Sequence, residues 1–227
     1  HQDAIIVDQG ALLFVKGCRI ENYPVSSAYA FDVRSGSVNV RGLNITSNSA
    51  RRMMNLALQN GQTADIDDVS LIRNTADGVI ANDHNIFSTE DCVVGSNLII
   101  GRLRVVSNAN PAGAAGTMDG NAHVLIKNVN YTAENIEIKN NAVRGTYGSD
   151  IRTNNTQGSC RIGRLVTQQP VAGGSVFVTN STGNTFVGTA EIENAFNNTF
   201  SVYIGTAVLR GSNLAGVLNT PTTITIP

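Results

Sequence analysis

The chain has no tryptophan, and Phe and Tyr together supply only 5% of its 227 residues. Aromatic platforms for stacking a ligand ring are therefore scarce. Charged residues are 15% of the total, the formal net charge is −1, and lysine and arginine form no cluster. That balance argues against a nucleic-acid partner. No apolar run approaches the length of a membrane span and none resembles a signal peptide, so membrane insertion is not expected. Only three cysteines and three histidines are present. Cys18, Cys92 and Cys160 have no histidine at zinc-site spacing and read as small buried thiols. His1 and His123 carry no suggestive neighbours. No calcium-loop motif occurs either, so neither a metal nor a cofactor is expected.

What is present is a repeat. An eight-residue pattern of apolar, any, apolar, two turn residues, apolar, any, apolar begins at Leu13, Val38, Ala64, Leu98, Val124, Cys160, Thr185 and Val202. Within the pattern only Thr167 and Thr185 occupy apolar places without being apolar. The alternation is that of a strand with one buried face. The paired turn residues, such as Lys16-Gly17, Asp67-Asp68 and Gly163-Arg164, let the strand bend while both arms keep facing one core. A further short strand precedes most units, as in Phe31–Val33, Leu56–Leu58, Cys92–Val94, Asp150–Arg152 and Val176–Val178.

Three strands and three turns in about 25 residues define one turn of a solenoid. The expected fold is all-β: a single-stranded, right-handed parallel β-helix of about eight coils, roughly 40 Å long at the strand spacing of about 4.8 Å. It is expected to fill residues 1–218, with residues 219–227 as a closing segment. His1 falls in the middle of what reads as a coil, so a longer parent chain is expected. Asparagine occurs 27 times, which suits hydrogen-bonded ladders at stacked turns.

Two outward columns follow from the repeat. The first reads Phe14, Asn39, Asp65, Ile99, Leu125, Arg161, Phe186 and Tyr203, with five large apolar members. Such a face is covered either by loops of the chain itself or by side-by-side association. Association as a homotrimer through Ile99, Leu125, Phe186 and Tyr203 is the expectation. The second column includes Arg19, Asn44, Arg104, Asn130 and Glu191. It is polar enough to line a groove for a hydroxyl-rich ligand, with Arg104 and Asn130 as substrate-binding candidates.

Insertions in a solenoid map to loops that often carry function, and two intervals are long. The first, between Leu71 and Leu98, gathers Asp77, Asp83, His84, Glu90 and Asp91. Glycosidic cleavage commonly uses two carboxyl groups, one as acid and one as base or nucleophile. Asp77, Asp83, Glu90 and Asp91 are the catalytic candidates, with His84 beside them as a substrate-binding or tuning group. The ordinary alternative is that Asp77-Gly78 is a turn and the other acids are solvated. The second long interval offers Glu134, Glu137, Arg144, Tyr147, Asp150 and Arg152 in a looser arrangement.

The unit Val38-Asn-Val-Arg-Gly-Leu-Asn-Ile45, recurring with Asn-rich turns over nearly the whole chain, resembles the pectate-lyase-like β-helix superfamily. Asn74-Thr75-Ala76-Asp77 with Glu90-Asp91-Cys92 is similar to the polygalacturonase pairing of Asn-Thr-Asp with a later Asp-Asp-Cys. It departs by the inserted Ala76 and by Glu90 in place of Asp, and the Gly-His-Gly and Arg-Ile-Lys elements are missing. The low charge and the apolar outward column resemble a bacteriophage tailspike body or polysaccharide depolymerase. That resemblance implies a trimer that binds, and often cleaves, bacterial capsular or O-antigen polysaccharide, on a virion tail or otherwise outside the cell. The alternatives are a secreted polysaccharide hydrolase or lyase and a non-catalytic structural or adhesin rod.

Overall fold

The computed structural model of the chain describes residues 3–76, 85–109, 122–142, 149–154, 160–168, 176–178, 185–193, 199–200, 202–212 and 223–226. All regular structure among these residues is β, and every strand pairing is parallel. The strands fall into two sheets, of nine and twelve strands. The nine-stranded sheet runs through Ile5–Val7, Pro24–Val33, Ser49–Leu56, Phe87–Ser88, Ala122–Lys127, Ser149–Asn154, Val176–Val178 and Thr199–Phe200, with Thr75–Ala76 beside Ser49–Leu56. The twelve-stranded sheet runs from Ala11–Lys16 through Gly36–Arg41, Thr63–Asp67, Ser96–Val106, Val129–Lys139, Cys160–Gln168, Thr185–Glu193 and Tyr203–Arg210 to Thr223–Thr225.

As far as Tyr203–Arg210 the chain visits the two sheets alternately, so the strand of one sheet lies in the crossover that parallel pairing in the other requires. Sheet neighbours are thus one circuit apart in sequence, an arrangement consistent with a parallel β-solenoid. Inward side chains of both sheets meet in one apolar core that includes Val40, Ile66, Leu98, Ile136, Ile162 and Ile204. Leu13, Val15 and Cys18 occupy equivalent places but are only partly buried, because Ala11–Lys16 has a neighbour on one side alone among the described strands.

The bend in the repeat is real, and the chain makes it in two ways. In the first three circuits the second bend residue takes a left-handed backbone: Gly17 (φ 63°), Gly42 (φ 69°) and Asp68 (φ 51°). The arm beyond the bend is then a separate short strand, Arg19–Glu21, Asn44–Thr46 or Val69–Ile72. From Ser96–Val106 onward one strand runs through the bend, and glycine stands at the first bend position as Gly101, Gly163, Gly188 and Gly205, whereas Val129–Lys139 has Glu134 there. For the glycines the reason is closeness: a Cβ on Gly188 would lie 2.5 Å from the Gly163 carbonyl oxygen, and one on Gly205 2.8 Å from that of Gly188.

The fifth repeat is displaced from its expected place. Leu98 is registered with Tyr131, Leu103 with Ile136 and Val105 with Ile138, so the unit is Tyr131–Ile138 rather than Val124–Tyr131. Val124 belongs instead to the nine-stranded sheet, opposite Phe87 and Ile151. Leu125 therefore does not belong to the outward apolar column. It is fully buried, yet it stands apart from the apolar core, because it points to the other side of the nine-stranded sheet. Cys92–Val94 is likewise a turn, and Phe87–Ser88 is the strand of that circuit.

Asparagines do form a ladder. Asn48, Asn74, Asn108 and Asn141 are buried one above another, each preceded by a residue at left-handed φ: Ser47, Arg73, Ser107 and Asn140. Each side-chain oxygen accepts from the backbone N–H of the previous asparagine, at 3.0, 2.9 and 2.8 Å along the stack. Asn74, Asn108 and Asn141 also donate Nδ2 to the carbonyls of Ile45, Leu71 and Val105. At one end the Tyr23 N–H donates to Asn48 at 2.7 Å, so Tyr23 closes the ladder.

Candidate functional site

The outer face of the nine-stranded sheet departs from the usual rule that outward residues meet water. Its outward row reads Asp32, Asn55, Ser88 and Leu125 in strand register, and these residues are at most 2% exposed. The inward row beside it, Phe31, Met54, Phe87 and Val124, is apolar. Polar groups without water need partners, and the partners here form one connected network.

Arg52 stands at its centre. It is 2% exposed, on a strand whose local alternation is broken: Arg52, Met53, Met54 and Asn55 are all buried. A register irregularity opposite, between Val25 and Tyr29, accompanies the break. Arg52 Nη2 donates to Glu90 Oε2 at 2.6 Å, and Nη1 donates to Asp91 Oδ2 at 2.9 Å and to Asn55 Oδ1 at 2.6 Å. One guanidinium thus binds two adjacent carboxylates, a use of its fixed fork of donors. The Tyr29 ring lies 5.8 Å from the Arg52 guanidinium and 5.4 Å from that of Arg51, within cation–π range. Burial pushes the Tyr29 phenol up, and the two arginines oppose that shift.

The turn that carries Glu90 and Asp91 is tied down on its far side as well. Thr89 Oγ1 donates to the Lys127 carbonyl and accepts from the Lys127 N–H, and Asn128 Nδ2 donates to the Glu90 carbonyl. Lys127 Nζ lies 3.7 Å from Glu90 Oε1. Cys92 closes the turn against Leu56 and Leu58, and burial pushes its thiol up to about 12. Glu90 and Asp91 nonetheless keep 29% and 51% of their side chains exposed. They are fixed acceptors facing outward, suited to hydrogen bonds from hydroxyl groups.

Of the four proposed catalytic carboxylates, the structure brings together Glu90 and Asp91. Asp77, Asp83 and His84 lie outside the described residues. Asn74, part of the resemblance to a polygalacturonase motif, is occupied by the asparagine ladder. Arg104 sits beyond the bend on the twelve-stranded sheet, with its Nε 3.4 Å from Glu137. Burial would raise the Glu137 carboxyl, but Lys139 at 2.6 Å and Arg104 outweigh it and hold the group below its ordinary value. Asn130 lies before the bend, opposite Asn97. It lines a hollow of about 300 Å³ with Thr63, Asn97, Ile99 and Thr132. Arg104 and Asn130 therefore belong to separate places, and the second outward column contains Glu137 where Asn130 was expected.

In the first column Thr132 takes the place of Leu125. Phe14, Ile99, Phe186 and Tyr203 are exposed, from 70% at Phe14 to 37% at Tyr203. Arg152 continues the outward row opposite Leu125, and Arg144 and Tyr147 lie outside the described residues. All three cysteines are free thiols. Among the described residues no three His, Cys, Asp or Glu side chains converge as metal ligands. His123 is fully buried, and burial lowers its imidazole to about 4, so it belongs to packing. Arg52, Asn55, Asp32 and Tyr29 were missed by the repeat pattern. Their one visible signal is Arg51-Arg52 directly before Met53-Met54 in one strand. No protein-family model matches the chain, and no curated protein or solved structure gives a significant match.

Proposed function

We propose that the chain is a right-handed parallel β-helix of about eight coils, akin to a phage tailspike body, that binds bacterial capsular or O-antigen polysaccharide outside the cell. Glu90 and Asp91 are its glycan-facing pair and, in a depolymerase, its catalytic carboxylates. The observation that carries this reading is their geometry. Two outward carboxylates, fixed on one buried guanidinium, present hydrogen-bond acceptors at the surface of a long parallel sheet. Side-by-side packing as a homotrimer through Ile99, Phe186 and Tyr203 fits the same reading, since these large apolar side chains share one exposed column.

The test is incubation with a panel of bacterial surface polysaccharides, following product length and new reducing ends. Shortening of one glycan by the wild type, lost in Glu90→Gln and in Asp91→Asn, is the expected result. Cleavage that both variants retain would reject the pair. A second reading, a non-catalytic structural module, is favoured by the commitment of both carboxylates to Arg52. It predicts no cleavage and no retained glycan on any member of the panel.

A further inference from the structure

Asn55 joins Asp32 to Arg52 through the two ends of one amide. Its Nδ2 donates to Asp32 Oδ1 at 2.8 Å, while its Oδ1 accepts from Arg52 Nη1 at 2.6 Å. The same Arg52 nitrogen reaches Asp91 at 2.9 Å. Asp32 is 1% exposed, and its second oxygen accepts from Arg34 Nε at 2.7 Å. Both Asp32 oxygens thus face N–H donors. Protonation would remove the charge that strengthens both bonds and make one oxygen an O–H donor, which weakens the hold on Arg34 and on the Asn55 amide. A reversed amide would turn its own NH2 toward Arg52, which has no acceptor to offer.

We propose that Asp32 and Asn55 are positioning residues for the Glu90–Asp91 pair: charged Asp32 orients the Asn55 amide, which holds Arg52 on both carboxylates, and protonation of Asp32 releases that hold. The proposal rests on the reading of Glu90 and Asp91 as the glycan-facing pair. Asp32 is surrounded by Asn55, by Arg34 and, through Arg34, by Asp3. Arg52 is surrounded by Asn55, Tyr29, Arg51, Glu90 and Asp91, with Lys127 behind Glu90. Burial raises the Asp32 carboxyl above its ordinary value, Asn55 and Arg34 oppose the shift, and Asp3 adds to it. Release is therefore expected at a higher pH than the protonation of an ordinary aspartate.

The coupling is read by NMR on the full chain without any glycan. The signals of the Asp32 carboxyl carbon and of the Arg52 guanidinium nitrogens should change with pH about one shared midpoint, that of Asp32. In Asp32→Asn that Arg52 transition should vanish, and exchange of the Glu90 amide, which donates to Ser88 Oγ, should be about tenfold faster at neutral pH. Distinct midpoints in the wild type would overturn the proposal, and this comparison needs no variant to fold. An unchanged Arg52 transition in a folded Asp32→Asn chain would overturn it too. A chain with the coupling but no glycan activity would reject the functional reading and leave the relay standing.

Discussion

Replacing Asn74 by alanine tests the ladder on which the circuits stack. The substitution removes the acceptor for the Asn48 N–H at 3.0 Å and for Asn48 Nδ2 at 3.1 Å. It also removes the donor to the Ile45 carbonyl at 2.9 Å and to Asn108 Oδ1 at 3.0 Å. Asn48 Nδ2 keeps the carbonyls of Ile20 and Thr46, and Asn108 Oδ1 keeps the backbone N–H of residue 74. The Asn48 N–H is left without its partner and the Ile45 carbonyl loses one, in a region that is 1–2% exposed. At about 1–3 kcal/mol for each buried group left unpaired, the cost is roughly 2–6 kcal/mol. That is a large part of the stability of about 5–15 kcal/mol typical of a folded domain.

The assay is urea unfolding, with the exposed Asn60→Ala as a control and the m-value compared between variants. Exchange of the Asn48 amide is followed in parallel, because a solenoid can open locally. Asn74→Asp adds a sign. It turns a carboxylate oxygen toward two acceptors, so the introduced group has a folded pKa above its unfolded value. Its relative stability is then greatest below the unfolded value and is lost as pH rises through the folded one. A loss below about 1 kcal/mol in Asn74→Ala, with the Asn48 amide still protected, would refute the assignment of these four asparagines as a structural ladder.

Further predictions concern the bend, the charged column and the two outward faces. Gly188→Ala would set a Cβ 2.5 Å from the Gly163 carbonyl, whereas Gly61 has open space and a φ of 79°. Gly188→Ala should therefore lower the melting temperature further than Gly61→Ala, and the reverse order would reject close approach as its reason. Glu137, held below its ordinary value, contributes stability that is complete above pH 4.5, the ordinary value, and lost as pH falls through the folded value. Glu137→Gln should flatten the acid limb of a stability-versus-pH curve, and an unchanged limb would reject that assignment. Leu125→Asp should prevent folding, since the site is fully buried, whereas Phe186→Ser should leave circular dichroism intact and shift only the sedimentation coefficient. Soluble, folded Leu125→Asp would show the register assignment of this strand to be wrong.

The repeat was legible because its inward positions must be apolar in every circuit, whatever the loops between them do. Parallel pairing and the bends follow from that constraint, and the abundance of asparagine points separately to a stack at the turns. The fifth unit was ambiguous for a physical reason. Val124, Ile126, Val129 and Tyr131 satisfy the pattern as well as Tyr131, Ala133, Ile136 and Ile138 do, because a strand of either sheet alternates in the same way. The asparagines resolve it. Asn74, Asn108 and Asn141 occupy one corner of successive circuits, three residues after Leu71, Val105 and Ile138, and no asparagine stands three residues after Tyr131. Ladder spacing therefore reports register where apolar spacing cannot.

The network around Arg52 was illegible for the opposite reason. Alternation predicts which side of a sheet a residue faces, but it equates the outer side with water. On the nine-stranded sheet that equation fails, and Asp32, Asn55 and Leu125 are as deeply buried as the core. No local pattern reveals a second buried face, since its partners come from turns such as Thr89–Asp91, 38 or 39 residues from Arg52 or Lys127. A charged residue beside the apolar core positions of a strand is the trace such a face leaves in sequence. Burying it costs several kcal/mol unless it is paired, so Arg52 inside Ser49–Leu56 implies a carboxylate brought to it from elsewhere in the chain. Read that way, an arginine in the wrong place points to its acids before their loop is located.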